Sequence, residues 1–461
     1  MLSFGYHRAL LRATILLVLA ASVAPVSGQA ARRAAPAPAT PSTAANSEST
    51  SGKLELSDAE SAKYREAIDL FNNQDLQGAL EKLRELTAGN AAARPPRVIA
   101  AQWFGQLKNP RAARIMLEAA TGEDPEDPEA YLTLAEISLN EGELTAAELL
   151  AQKGAEKLAK YGANPDRKKT MESKASELKI AVSAARGRWT EVASALTAKI
   201  KSEGESAELD SALGNALFQQ GKYDQARQML DRAHKASEEK ALPADAAMAR
   251  LYSAQGNFDA AKTSLDAALK ANPKSVPVLI LSINSSLTEN NLDDAWKRVQ
   301  QLYQEDKSPD ALKTYGRVAL FRSDYKRAEA AFQEAVRQSP LDSEASNGLA
   351  LALCEQGDEK KNERAVQYAA GNVQKRQNDR DFLATLGWAL YRSGRQDEAI
   401  KVLQQSTADG QINAASAYYF AVVLSDKGQN DQAKKFLEAA LGTKTPFAKR
   451  SEAEALLKKL Q

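Results

Sequence analysis

Residues 380–403 read RDFLATLGWALYRSGRQDEAIKVL, and their pattern decides the fold. Leu383, Leu386 and Leu390 recur at the spacing of one helical face, Gly394 interrupts the period, and Ala399, Ile400 and Leu403 resume it. This spacing predicts one helix, a tight turn and a second helix packed back on the first. With Arg380 as position 1, small residues fall at position 8 (Gly387) and position 20 (Ala399). The same template fits from Glu60 onward, with further starts at Arg94, Pro128, Ser173, Ala207, Leu242, Val276, Pro309, Ser343, Arg380 and Ala414. Successive starts are separated by 34, 34, 45, 34, 35, 34, 33, 34, 37 and 34 residues.

The pattern resembles the tetratricopeptide repeat, TPR, whose period is about 34 residues. Position 20 is Ala in every unit except for Val192, counting Ala365 after a short insertion. Position 8 is Ala or Gly except at Ile180 and Ile283. The two helices of a hairpin approach most closely at these positions, where a long side chain would drive them apart. Gly142, Gly187, Gly221, Gly256, Gly357, Gly394 and Gly428 share position 15, where a left-handed residue ends the first helix. Pro125, Pro273 and Pro340 share position 32 and stop the second helix. Apolar positions 4, 7, 11, 24 and 28 would stack hairpin on hairpin, so no unit folds alone. The resemblance implies an all-α, right-handed α-solenoid of about eleven hairpins.

The ends are organised differently. His7, Arg8 and Arg12 precede an apolar run from Ala13 to Ala24, followed by Pro25 and small residues from Ser27 to Ala30. Residues 1–30 are expected to be a signal peptide, since the run is short for a bilayer span; an uncleaved anchor is the alternative. Export to the periplasm or outside the cell follows. Residues 31–53, rich in Ala, Pro, Ser and Thr, bury too little apolar surface to order themselves and are read as a flexible tether. Residues 54–172 are expected to hold the N-terminal repeats and 173–446 the main array. Residues 447–461 should form a capping helix, with Ala455, Leu456 and Leu460 on one face.

Two irregularities interrupt the period. An eleven-residue excess between the starts at 128 and 173 falls in Lys153–Lys169 and contains Asn164-Pro165. It is read either as an extended second helix with a longer loop or as a flexible joint between sub-arrays. The run Val276–Ile283 has the β-branched content of a strand, but the repeats on both sides predict a helix.

Composition and motif content point away from catalysis. Lys and Arg total 61 against 60 Asp and Glu, a net charge of +1, which disfavours nucleic acid as a partner. One cysteine, Cys354, cannot form an intramolecular disulfide, and it has no basic neighbour to activate it. His234 is the one histidine after the signal region; it sits at a packing position, which argues against a multi-histidine zinc site or a conventional triad. Gly214 to Gly221-Lys222 resembles a phosphate loop, but six residues separate the glycines instead of four, and repeat identity explains both. The acidic run Glu123–Asp127 lacks the spacing of a calcium loop. No enzyme activity, cofactor, metal or small-molecule substrate is expected.

Binding remains. The resemblance implies that positions 2, 5, 9, 12 and 13 of the first helices line a concave groove for an extended peptide. Carried onto this chain, they give Lys313, Arg317, Leu320 and Phe321, then Asn347 and Leu351, then Trp388, Tyr391 and Arg392, and finally Tyr418. Aromatics would supply rigid contact area and arginines paired donors; packing of Trp388 and Tyr391 against the next hairpin is the alternative. Lys313 at position 5 is followed by Arg317 at position 9, where the family's carboxylate-clamp type has Asn, which argues against such a clamp. The expected function is a non-catalytic scaffold or adaptor holding a protein or peptide. The alternative is a structural component of a cell-envelope or polysaccharide-export assembly, associated with membrane-bound proteins.

Overall fold

The computed structural model describes residues 58–90, 92–237, 241–407, 413–443 and 446–461. The segments read as signal peptide (1–30) and tether (31–53) lie outside the described residues. Among the described residues the chain forms helices and no strand. Two compact units divide between Ala244 and Asp245.

The first unit is built of five hairpins. They are α1 (Asp58–Asn72) with α2 (Leu76–Thr87), α3 (Pro96–Gln106) with α4 (Pro110–Glu123), and α5 (Pro128–Asn140) with α6 (Leu144–Lys160). α7 (Pro165–Ala185) with α8 (Trp189–Glu203) and α9 (Ala207–Gln219) with α10 (Tyr223–Ala236) complete it. The second unit begins with α11 (Ala244–Ala254) and α12 (Phe258–Ala271), then α13 (Val276–Thr288) and α14 (Leu292–Glu305). α15 (Pro309–Phe321) and α16 (Tyr325–Gln338), α17 (Ser343–Cys354) and α18 (Glu359–Lys375), and α19 (Arg380–Arg392) and α20 (Gln396–Thr407) follow. α21 (Ala414–Asp426), α22 (Asn430–Gly442) and α23 (Arg450–Leu460) end the chain. Each unit is thus a stack of helix hairpins, and Val276–Thr288 is helical despite its β-branched content.

Short polar side chains start these helices. Ser308 Oγ accepts from the amide of Ala311, and Asp342 Oδ1 accepts from those of Glu344 and Ala345, satisfying donors that have no partner in the first turn. Proline opens α3, α4, α5, α7 and α15, where its missing N–H costs nothing.

The small positions behave as their spacing requires. Ala399 is fully buried, and a Cβ added to Gly387 would stand 2.5 Å from Leu403 Cγ. The same holds where Gly316 faces Phe332, at 2.7 Å. Ile180 and Ile283, which depart from the small-residue rule, are nevertheless buried at 1% and 0% exposure. Position 15 is left-handed in all eleven units. The seven glycines have φ between 70° and 80°, and Gln74, Lys108, Asn290 and Ser323 adopt φ of 66°, 55°, 56° and 56° at the same position. The turn is therefore imposed by the hairpin and does not depend on glycine.

The excess before Ser173 is absorbed into helix. α6 runs on to Lys160, a four-residue connection ends at Asn164, whose side chain caps α7, and α7 itself has 21 residues. Of the two readings, the extended second helix is present, but the following first helix is lengthened as well, and the loop is short. Leu158 and Met171 share a core with Leu132, Ala135 and Leu178. Arg167 binds the segment down: its Nε lies 2.8 Å from Glu129 Oε2 and its Nη2 2.7 Å from Asp127 Oδ2. Arg94 reaches the same Glu129 oxygen at 3.0 Å. Burial works against ionisation of Glu129, yet the charges of Arg94 and Arg167 outweigh it and hold its pKa below the usual carboxylate range.

Candidate binding face

The first helices α13, α15, α17, α19 and α21 carry the residues at positions 2, 5, 9, 12 and 13. At one end stand Lys313, Arg317 and Asn347. Lys313 Nζ is 2.9 Å from both Asp310 Oδ1 and Asp342 Oδ2 and 3.5 Å from Glu344 Oε2. Burial works against its charge, but Asp342 and Asp310 prevail and raise its pKa. Arg317 is exposed to solvent and donates from Nη2 to Asn284 Oδ1. Among the described residues it has no carboxylate within ion-pair distance, and crowding by the protein lowers its pKa, with Glu344 opposing. Asn347 Oδ1 is buried without a hydrogen-bond partner among the described residues. Phe321 packs against the core of α13 to α15 that includes Leu279 and Val318, so it is a half-buried wall of that core.

The aromatic end differs from the expectation. Trp388 is 4% and Tyr418 7% exposed, so neither offers open contact area. Trp388 stacks on Tyr419, 4.6 Å between ring centroids at 16°, and on Tyr391, 5.3 Å at 28°. Its Nε1 donates to Glu355 Oε1 at 2.9 Å. Tyr391, half-buried, donates its hydroxyl to Asp426 Oδ2, and Arg392 lies over the Trp388 ring at 5.7 Å and 3.6 Å from Glu355 Oε2. These residues are brought together: Trp388 and Tyr418 are packed in the core between α19 and α21, the alternative stated for Trp388, while Tyr391 and Arg392 stay half-buried at its edge.

What covers them lies outside the repeats. Phe447, 7% exposed, packs against Tyr418 with 6.3 Å between centroids. Lys449 Nζ is 3.1 Å from Glu355 Oε2 and 2.7 Å from the hydroxyl oxygen of Tyr325, 124 residues earlier. The last helix begins at Arg450, not Phe447, and it buries Ala453; Ala455 faces solvent. Glu355 occupies position 13 of its unit and could have been found by the positional rule that gave Asn347 and Leu351. No sequence signal identifies Phe447 or Lys449, because they belong to no repeat.

Groups with catalytic potential are used structurally. The thiol of Cys354 is fully buried, bonded to the carbonyl of Leu351 at 3.3 Å, and burial pushes its pKa up, away from thiolate chemistry. His234 Nδ1 lies 2.7 Å from the carbonyl of Ala241. Gly214 lies within α9, where an added Cβ would meet Leu230 Cγ at 2.9 Å, so it serves helix packing. In the acidic run, Asp127 caps α5 and Glu126 pairs with Lys157. Among the described residues no cluster of three or more His, Cys, Asp or Glu side chains could hold a metal ion, and no helix is long and apolar enough to cross a membrane.

Models of the tetratricopeptide repeat match residues 100–164, 246–311 and 314–378, and a second such model matches 211–241. No curated protein matches the sequence. Among solved structures, a tetratricopeptide repeat protein from Parabacteroides merdae is similar at 14% identity, covering 55% of this chain and 98% of that one, with a TM-score of 0.43. The Cut9–Hcn1 hetero-tetramer of the APC/C is similar at 17% identity, 87% and 83% coverage and a TM-score of 0.40. Yeast Tom70 is similar at 14% identity, 87% and 95% coverage and a TM-score of 0.34. The chain is a tetratricopeptide repeat protein, and its repeats mark it as a protein–protein interaction scaffold.

Proposed function

We propose that the chain is a non-catalytic adaptor that holds a protein segment on the first-helix face of its second unit, outside the cytoplasm. The observation that carries this reading is Arg317. A solvent-facing guanidinium with no carboxylate partner among the described residues, held only by Asn284, is poised to donate to acceptors of a partner chain. Lys313 is already neutralised by Asp342 and Asp310 and serves to hold α15 against α17.

Export is supported by His7, Arg8 and Arg12 ahead of the Ala13–Ala24 apolar run. The same pattern suits a component of an envelope or polysaccharide-export assembly, which predicts co-sedimentation with membrane proteins. The test is capture from the chain's own cell-envelope extract by the wild type beside Arg317→Ala. Discrete proteins retained by the wild type and lost from a folded Arg317→Ala support the reading. Identical capture by both would place binding elsewhere.

A further inference from the structure

The buried Trp388–Tyr418 cluster is covered by a segment of the same chain. Phe447 and Lys449, at the connection between α22 and α23, reach Tyr418 at position 5 of the last unit and Glu355 at position 13 of the unit at Ser343, and Glu355 in turn accepts from Trp388 at position 9 of the unit between them. The contact has two chemical parts. An aromatic ring closes against Tyr418, and two residues later an ammonium enters a site made by the carboxylate of Glu355 and the hydroxyl and ring of Tyr325, whose centroid is 5.1 Å from Nζ. Glu355 has only 7% of its side chain exposed and Lys449 12%. The enclosed carboxylate of Glu355 takes two cations, Arg392 at 3.6 Å from within the repeats and Lys449 at 3.1 Å from outside them, so the second place is one that another chain's ammonium or guanidinium could fill.

We propose that Phe447–Lys449 is an internal occupant of the peptide-binding face, and that the partner for this end of the face is a peptide with an aromatic residue followed two positions later by Lys or Arg, which displaces it. The inference rests on the proposed adaptor function. In the resting molecule the segment packs its Phe447 ring against Tyr418 at the edge of the aromatic cluster. A partner of matching chemistry exchanges one Phe and one Lys for its own, so binding is set by competition with a tethered segment of high effective concentration.

The test uses a fluorescent peptide of residues 443–453, TKTPFAKRSEA, titrated by anisotropy against the full chain. The emptied variant Phe447→Ala, Lys449→Ala should bind it at least tenfold more tightly than the wild type. Adding Glu355→Gln should remove that gain, and a peptide with Ala in place of its Phe and Lys should not bind. An emptied variant that is folded by circular dichroism yet binds no better than the wild type would overturn the proposal. If the double variant does not fold, the wild type decides: saturating peptide should speed hydrogen exchange in α23, and unchanged exchange would equally overturn it. Arg317-dependent capture that survives either failure would leave the adaptor reading in place and remove this inference alone.

Discussion

The ammonium of Lys449 lies 3.1 Å from Oε2 of Glu355, across a gap of more than ninety residues, and ties the end of the chain to the helix α17 (Ser343–Cys354). Glu355 also accepts from Trp388 and neighbours Arg392, so it keeps partners if the lysine is lost. Lys449→Ala is therefore expected to cost about 1–3 kcal/mol, less than a buried pair stripped of all compensation. Denaturant unfolding of the two proteins measures it, and an unchanged midpoint would show that the contact is dispensable.

The close approach of α19 to α20 predicts intolerance of bulk. Ala399 is fully buried against α19, and Ala399→Leu should destabilise by about 1–3 kcal/mol through overpacking. Gly387→Ala should act in the same direction, because its Cβ would press on Leu403. A melting transition that does not move in either variant would contradict this packing.

The left-handed turn predicts substitutions of opposite sign. Lys108 and Ser323 hold φ of 55° and 56°, a conformation that costs an L-residue about 1–2 kcal/mol. Lys108→Gly and Ser323→Gly should raise stability by up to about 1 kcal/mol, the gain being reduced by glycine's freedom in the unfolded chain. Gly394→Ala, at φ 77°, should lower it by about 1 kcal/mol. Thermal melts of the three variants check the signs.

In the first unit, Arg167 bridges Asp127 and Glu129 with only 4% of its side chain exposed. Arg167→Ala would leave two carboxylates enclosed with Arg94 alone, and should cost about 3–5 kcal/mol. Hydrogen exchange should then rise at the start of α7 (Pro165–Ala185). Unaltered exchange there would mean that apolar packing alone holds the insertion.

The tyrosines predict alkaline sensitivity. Burial pushes Tyr418 up to about 12, and burial with the Asp426 carboxylate does the same for Tyr391. A tyrosine whose folded pKa lies above its unfolded value near 10 favours the folded state below pH 10. The unfolded chain releases its proton first, so that contribution is lost as pH rises from about 10 to about 12. Melting temperature should fall across this window, and Tyr418→Phe should flatten the fall. An identical profile in the variant would contradict the assignment.

The sequence disclosed the hairpins because their chemistry is local. Gly387 with Ala399 marks a helix crossing, and Asn164-Pro165 marks a helix start, even though the continuous helices on both sides of it were not distinguishable from a joint. The left-handed state of Gln74, Lys108 and Ser323 was hidden because those residue types carry no such preference, whereas Asn290 belongs to a type that tolerates it; their shared place in the period reveals all four. The binding face was legible as positions, not as exposure. Trp388 and Tyr418 satisfy the positional rule, but Phe447 and Lys449 cover them from beyond the repeats, and periodicity says nothing of a contact between residues as distant as Tyr325 and Lys449.

The central claim is that a partner protein lies on the first-helix face around Arg317. The direct measurement is photo-crosslinking in the native cell, with a photoreactive amino acid placed at Asn284 or Glu344, which neighbour Arg317, and, as a control, at Leu341, which is 84% exposed. Discrete protein adducts from positions 284 and 344 and none from 341 are the predicted result. Adducts from position 341 alone would contradict the claim.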